Sequence, residues 1–102
     1  MSFIDDLNWL DWQFRHDEVN RQRFELMCNQ NIWWHPVRGG LIKISNMEPT
    51  HVFNLMNWLE RNYDLYKERY DPGYRYGLND SPLYKKLVQM HYDFMSNFGV
   101  VT

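Results

Sequence analysis

Three groupings of residues in this chain combine types and spacings that could do chemistry. In "THVFNLMNW", His51 and Asn54 stand three residues apart and Asn57 follows three later. An imidazole beside a carboxamide could orient a nucleophile or a ligand. No Ser or Cys nucleophile is placed nearby in sequence, so the pair reads first as packing and backbone satisfaction near a helix start. In "WWHPVRGG", Trp33, Trp34, His35 and Arg38 surround Gly39 and Gly40. Backbone amides of Arg38, Gly39 and Gly40 could cradle an anion, Arg38 and Lys43 would add charge, and Trp33 or Trp34 could stack a ring. This turn matches neither a P-loop nor a dinucleotide fingerprint. The plainer reading comes first: the glycines turn the chain, one Trp packs on the neighbouring helix, and Arg38 is solvated.

The third grouping is "YDLYKERYDPGYRYG", where tyrosines alternate with Lys67, Arg69 and Arg75. Rings and cations together could stack bases and meet phosphates, but Asp64, Glu68 and Asp71 cancel most of that charge. Tyr, Trp and Arg are also the residues enriched where proteins grip one another. A lid of tyrosines over a small core is an equally good reading. The expected partner-binding set is Tyr66, Tyr70, Tyr74, Arg75 and Tyr76, with Trp34 added from the turn.

Other chemistry finds little support. His16, His35, His51 and His91 are scattered, none three or four residues from another, and no H-E-x-x-H or C-x-x-C pattern occurs. Neither a metal site nor a cofactor is expected. The adjacent acids Asp5-Asp6 and Asp17-Glu18 suit the positive ends of helices better than acid–base work. No catalytic residue is assigned, and the chain is expected not to be an enzyme.

Composition bears on what such groups could serve. In 102 residues, aromatics reach 18% and alanine is absent, so a single small domain must place some large rings at its surface. Exposed rings suggest a partner or self-association. A net charge of -2 and a pI near 6.0 give no general attraction to nucleic acid or anionic membrane. The charge is uneven: residues 1–31 hold six acids against three arginines, whereas six bases face five acids from Arg61 onward. Pairing between copies through opposite-signed regions is therefore open. Cys28 is the only cysteine, which excludes an internal disulfide and fits a reducing compartment. The acids Asp5 and Asp6 stand where a secretory signal would be basic, and no apolar run has the length of a membrane span. An intracellular protein with no membrane role is expected.

The elements that must position these groups follow from pattern. Residues 1–30 read as a helical segment, Ser2 as its cap and Leu7, Leu10 and Phe14 as its stripe, widened by Trp9 and Trp12. A break near His16, with Asp17 capping a second helix, is one version. That second stretch shows a less regular stripe of Val19, Arg23, Leu26 and Met27, with Phe24 and Cys28 beside it. Residues 31–45 read as a β-hairpin, "NIWW" and "LIKI" flanking the turn, with Ile42 and Ile44 on the side opposite Leu41 and Lys43. Residues 46–66 form a central helix with Pro49 in its first turn, Asn46 or Glu48 as cap, and Val52, Leu55, Met56 and Leu59 on one face. Met47 could staple onto Val52 or Phe53. Residues 67–80 read as an aromatic loop. Residues 81–99 form a last helix capped by Ser81 before Pro82, burying Leu83, Leu87, Met90 and Phe94 and ending at Gly99, with Val100 after it. The fold class is helix-rich α+β: one domain of three or four helices with one hairpin.

"GGLIKISNMEPTHVFNLMNWLERN" and "SPLYKKLVQMHYDF" resemble a pattern of short, mostly uncharacterised bacteriophage proteins. That pattern comprises a Gly-turn hairpin, I-x-x-M, a helix opened by H-x-x-N and ended by L-E-R, and a closing P-x-Y-x-x-L helix. About half the chain is covered; the aromatic stretch from Tyr63 to Tyr76 and the aromatic N-terminal helix depart from it. The resemblance implies a phage origin, hence the host cytoplasm, and implies no activity. The leading expectation is a non-enzymatic, homo-oligomeric binding protein that occupies or inhibits a host or antiviral-defence component. One alternative is an oligomeric sponge for a phosphorylated small molecule such as a signalling nucleotide, held by Arg38, Gly39, Gly40, Lys43 and Trp33. A nucleic-acid-associated regulator is a further alternative. A small hydrolase or nuclease using His51 or His35 ranks last.

Overall fold

A computed structural model of the chain describes residues 3–97, with side chains from His16 to Asn97. The order is helix α1 (Phe3–Asn29), strand β1 (Trp33–Trp34), strand β2 (Ile42–Lys43), helix α2 (Pro49–Tyr70) and helix α3 (Pro82–Asn97). Single 3-10 turns follow β2, at Ile44–Asn46, and precede α3, at Leu78–Asp80. The result is the helix-rich α+β class, three helices with one antiparallel hairpin.

α1 passes through His16 without the break allowed for by the sequence. No Gly or Pro lies between Phe3 and Asn29, so nothing removes a backbone hydrogen bond there. Asp17 caps nothing. It lies inside the helix and accepts from Arg69 Nη2 (2.9 Å) and the Tyr70 hydroxyl (3.2 Å). Arg21 bridges Glu18 and Glu25 on its outer face, pairs one turn away on either side. The expected cap Ser2 and the close at Gly99 and Val100 lie outside the described residues. So do the side chains of Leu7, Trp9, Leu10, Trp12 and Phe14.

The chain leaves α1 through the side-chain amide of Gln30. Its Oε1 accepts from the backbone N–H of Ile32 (2.9 Å) and Trp33 (2.7 Å), while its Nε2 donates to the carbonyls of Leu26 and Trp33. That one side chain serves the Leu26 carbonyl and the amides just past the helix, while Ser81 and Tyr74 serve the Met27 and Cys28 carbonyls. The hairpin strands are two residues each, with Trp33 opposite Lys43 and Trp34 opposite Ile42. The expected alternation holds: Ile44 is buried and Ile42 half-buried, whereas Leu41 and Lys43 are exposed. Gly39 sits at φ +90°, a conformation natural to glycine.

α2 opens at Pro49 behind Glu48 and buries Val52, Leu55, Leu59 and Tyr63. Met56 is half-buried beside them. The helix continues to Tyr70, past the expected end at residue 66, because its last turn is held against α1 through Asp17. Asp71-Pro72-Gly73 then stops it, leaving a loop shorter than expected. Ser81 caps α3, accepting from Tyr84 N (3.3 Å), and its own hydroxyl donates to the Met27 carbonyl of α1. Leu83 and Leu87 are fully buried, with Met90 and Phe94 packed against the core. Each fully buried Leu contributes about 2 kcal/mol. The core joins these to Phe24, Met27 and Cys28 of α1, Trp34 of the hairpin, and Ile44 and Met47 beyond it. Among the described residues, no helix is long and apolar enough to cross a membrane.

Candidate binding surface

Rings line the seam between α1 and α2 in two chains. One runs from the hairpin along α2: Trp34 to Trp58 (5.6 Å between centroids), Trp58 to Tyr66 (5.2 Å) and Tyr66 to Tyr70 (5.8 Å). The other crosses α1 into the loop: Tyr63 to Phe24 (5.9 Å), Phe24 to Tyr74 (6.1 Å) and Tyr74 to Tyr76 (5.5 Å). Centroids at 4.5–7 Å with tilted or edge-on planes are the favoured arrangement of aromatic pairs. Helical spacing puts Tyr63, Tyr66 and Tyr70 along one side of α2. Tyr63 OH donates to the Tyr76 carbonyl of the following loop (3.4 Å), and α1 supplies the groups that fix the far ends of the other two.

Those ends are anchored. Tyr66 OH donates to Asn20 Oδ1 (3.2 Å), Tyr70 OH to Asp17 Oδ1 (3.2 Å), and Tyr74 OH to the Cys28 carbonyl (3.1 Å). Arg69 pairs with Asp17 and also sets its guanidinium 5.6 Å from the Tyr70 ring. Burial, and then the Asp17 carboxylate, push the Tyr70 phenol above its ordinary range; burial and neighbouring Cys28 do the same for Tyr74. The Cys28 thiol is pushed up to about 11, chiefly by burial. With their pKa values raised, these groups keep their protons at neutral pH, and the Cys28 thiol is not poised as a nucleophile.

Two clefts open on this seam. One of ≈ 310 Å³ is lined by Arg21, Phe24, Glu25, Cys28, Asn29, Tyr70, Asp71 and Tyr74. Another of ≈ 390 Å³ is lined by Asp17, Asn20, Leu65, Tyr66, Glu68, Arg69 and Tyr70. Tyr70 forms the wall between them. Charges of both signs and ring edges face outward, a mixture suited to a protein surface.

The expected partner-binding residues divide. Tyr66, Tyr70 and Tyr74 are half-buried on the seam, and Arg75 and Tyr76 are exposed on the loop. Trp34 does not belong with them. At 3% exposure it lies under the hairpin, because the two-residue strand turns Trp33 outward and Trp34 in. The expected anion grip stays on the surface: Trp33, Arg38, Gly39, Gly40 and Lys43 are all exposed. Trp33 and Lys43 stand opposite each other, with Arg38 in the connecting turn. His51 is half-buried and Asn54 exposed in the first turns of α2. His35 Nδ1 donates to the Pro36 carbonyl (2.7 Å), a local backbone bond. Among the described residues, no three His, Cys, Asp or Glu side chains group as a metal site.

Two organising residues were not assigned such roles from the sequence. Arg23 is 8% exposed, with its guanidinium 4.5 Å from the Trp58 ring and 5.0 Å from the Trp34 ring. It donates to the His35 carbonyl (3.0 Å) and to Asn20 Oδ1 (3.3 Å). An arginine within an otherwise apolar stripe was the available signal. Gln30, which builds the exit from α1, had none, since a lone Gln after a helix has no characteristic meaning. No family model, curated protein or solved structure matches the chain.

Proposed function

We propose that this is a small, phage-encoded, non-enzymatic binding protein. It occupies or inhibits a host or antiviral-defence protein in the host cytoplasm, through the tyrosine-rich seam of α1 and α2 and the loop that follows. The observation that carries this reading is the anchoring of Tyr66, Tyr70 and Tyr74. Each hydroxyl is tied to α1, so the rings are already ordered and lose little freedom on binding. Exposed Arg75 and Tyr76 extend the array beyond the core, and such residue types carry most of the energy in protein interfaces. The phage origin rests on the sequence resemblance alone.

A tagged chain incubated in host lysate should retain one protein in stoichiometric amount. Arg75→Ala and Tyr76→Ala, both at exposed positions, should each weaken that complex about tenfold or more. A complex indifferent to both changes would move the interface elsewhere, and retention of a small molecule alone would favour the second reading. That reading, a nucleotide sponge on the hairpin, draws on the pairing of exposed Trp33 with Lys43 beside the Arg38 turn. A nucleotide bound only by the folded state would raise its melting temperature; no shift across a panel of nucleotides would remove it.

A further inference from the structure

The hairpin presents an outer face that the fold itself does not cover. Ile32, Trp33, Val37 and Leu41 are 51%, 41%, 47% and 54% exposed. Between Leu26 and Met47 the chain carries no acid, while Arg38 and Lys43 are both exposed on the hairpin. The face is thus apolar with a basic rim. One other stretch of the chain has the opposite character. From Phe3 to Phe14, the first half of α1, the sequence holds Asp5, Asp6 and Asp11, no base, and seven apolar or aromatic residues.

These two stretches are held apart within one molecule. The hairpin is tied to α1 at Arg23, which bonds the His35 carbonyl. Asp5 lies eighteen residues earlier on the same unbroken helix, about 27 Å away at the helical rise of about 1.5 Å per residue. A second copy running antiparallel meets no such limit. Its α1 start then falls beside the first copy's α1 end, where the hairpin sits, and the reverse contact forms at the same time.

The geometry points to a two-fold dimer in which each copy's acidic, apolar α1 start lies on the other's basic-rimmed hairpin. The contact is isologous and closes on itself, so it ends at two copies. The antiparallel helices also set opposed dipoles side by side. Charge complementarity at the rim fixes direction, and the apolar centre supplies affinity.

Sedimentation equilibrium on the full chain tests this. Wild type should be a dimer at micromolar concentration, weakening with added salt. Arg38→Glu with Lys43→Glu should leave a monomer, and Asp5→Lys with Asp6→Lys should do the same. Circular dichroism should show both variants folded. Mixing the two variants in equal amounts should restore a dimer, because each swapped hairpin then meets a swapped helix and each native hairpin a native one. A chain carrying all four changes should dimerise with itself. The proposal is overturned by a wild type that stays monomeric at about a hundred micromolar, by a dimer indifferent to the swaps, or by swapped variants that fail to pair on mixing.

Discussion

Arg23 is held by ring faces and a backbone carbonyl, and no carboxylate bonds to it among the described residues. Burial pulls its pKa down from the ordinary value, but an arginine keeps its proton at any working pH. A desolvated cation between rings contributes about 2 kcal/mol or more. Arg23→Ala removes that contribution and the tie between hairpin and helix, and should lower unfolding free energy by about 3 kcal/mol in urea titrations followed by circular dichroism. Arg23→Lys retains charge but loses the flat stacking surface, so about half of that loss is expected. A lysine variant as stable as wild type would show that charge alone matters. Cys28 argues the opposite way on pH. Its thiol pKa rises from 9.0 to about 11 on folding, so the native state keeps a proton that the unfolded chain gives up. Stability from this source is complete below pH 9.0 and is lost as pH climbs to about 11. Tyr63, raised chiefly by burial, extends the loss upward. The urea midpoint should fall across this window, and Cys28→Ala should flatten its lower part.

Among the elements, α3 depends on Ser81 for two services. The hydroxyl receives the Tyr84 N–H as a cap and donates to the Met27 carbonyl. Ser81→Ala leaves that buried carbonyl without a donor and should destabilise by about 2 kcal/mol. Ser81→Asp separates the roles. Aspartate is a good cap in isolation, yet here it sets a carboxylate against a carbonyl in a position 1% exposed. It should be at least as harmful as alanine, and wild-type stability for it would mean that capping is the whole role. These elements were legible in the chain where local chemistry decides them. Pro49 and the spacing of Val52, Leu55 and Leu59 announce α2, and Ser81-Pro82 announces α3. The far end of α2 was not legible, since its last turn is held by Asp17, more than fifty residues away in sequence. The candidate surface divides in the same way. Its tyrosines and arginines show by type, but Trp33 and Trp34 are exchanged between surface and core by a register that only pairing with Lys43 and Ile42 sets.

At the scale of the whole molecule, surface is generous for the core it covers. The radius of gyration is 16.5 Å, against about 13 Å for a compact chain of this length. Among the residues with described side chains, His16 to Asn97, every buried core residue lies between Arg23 and Leu87. A chain lacking residues 1–14 keeps all of these, and should still unfold in one cooperative urea transition, losing about 1–2 kcal/mol from the helix start. A truncated chain without cooperative unfolding would place part of the core in that segment. The same variant separates folding from association. If the start of α1 seats on a second copy's hairpin, dimerisation stabilises the intact fold and its urea midpoint rises with protein concentration. The shortened chain has lost that contact, so its midpoint should not move over a hundredfold range of concentration. Equal concentration dependence in both chains would put the self-association elsewhere on the molecule, with the exposed α3 residues Val88, Tyr92 and Met95 the next surface to substitute.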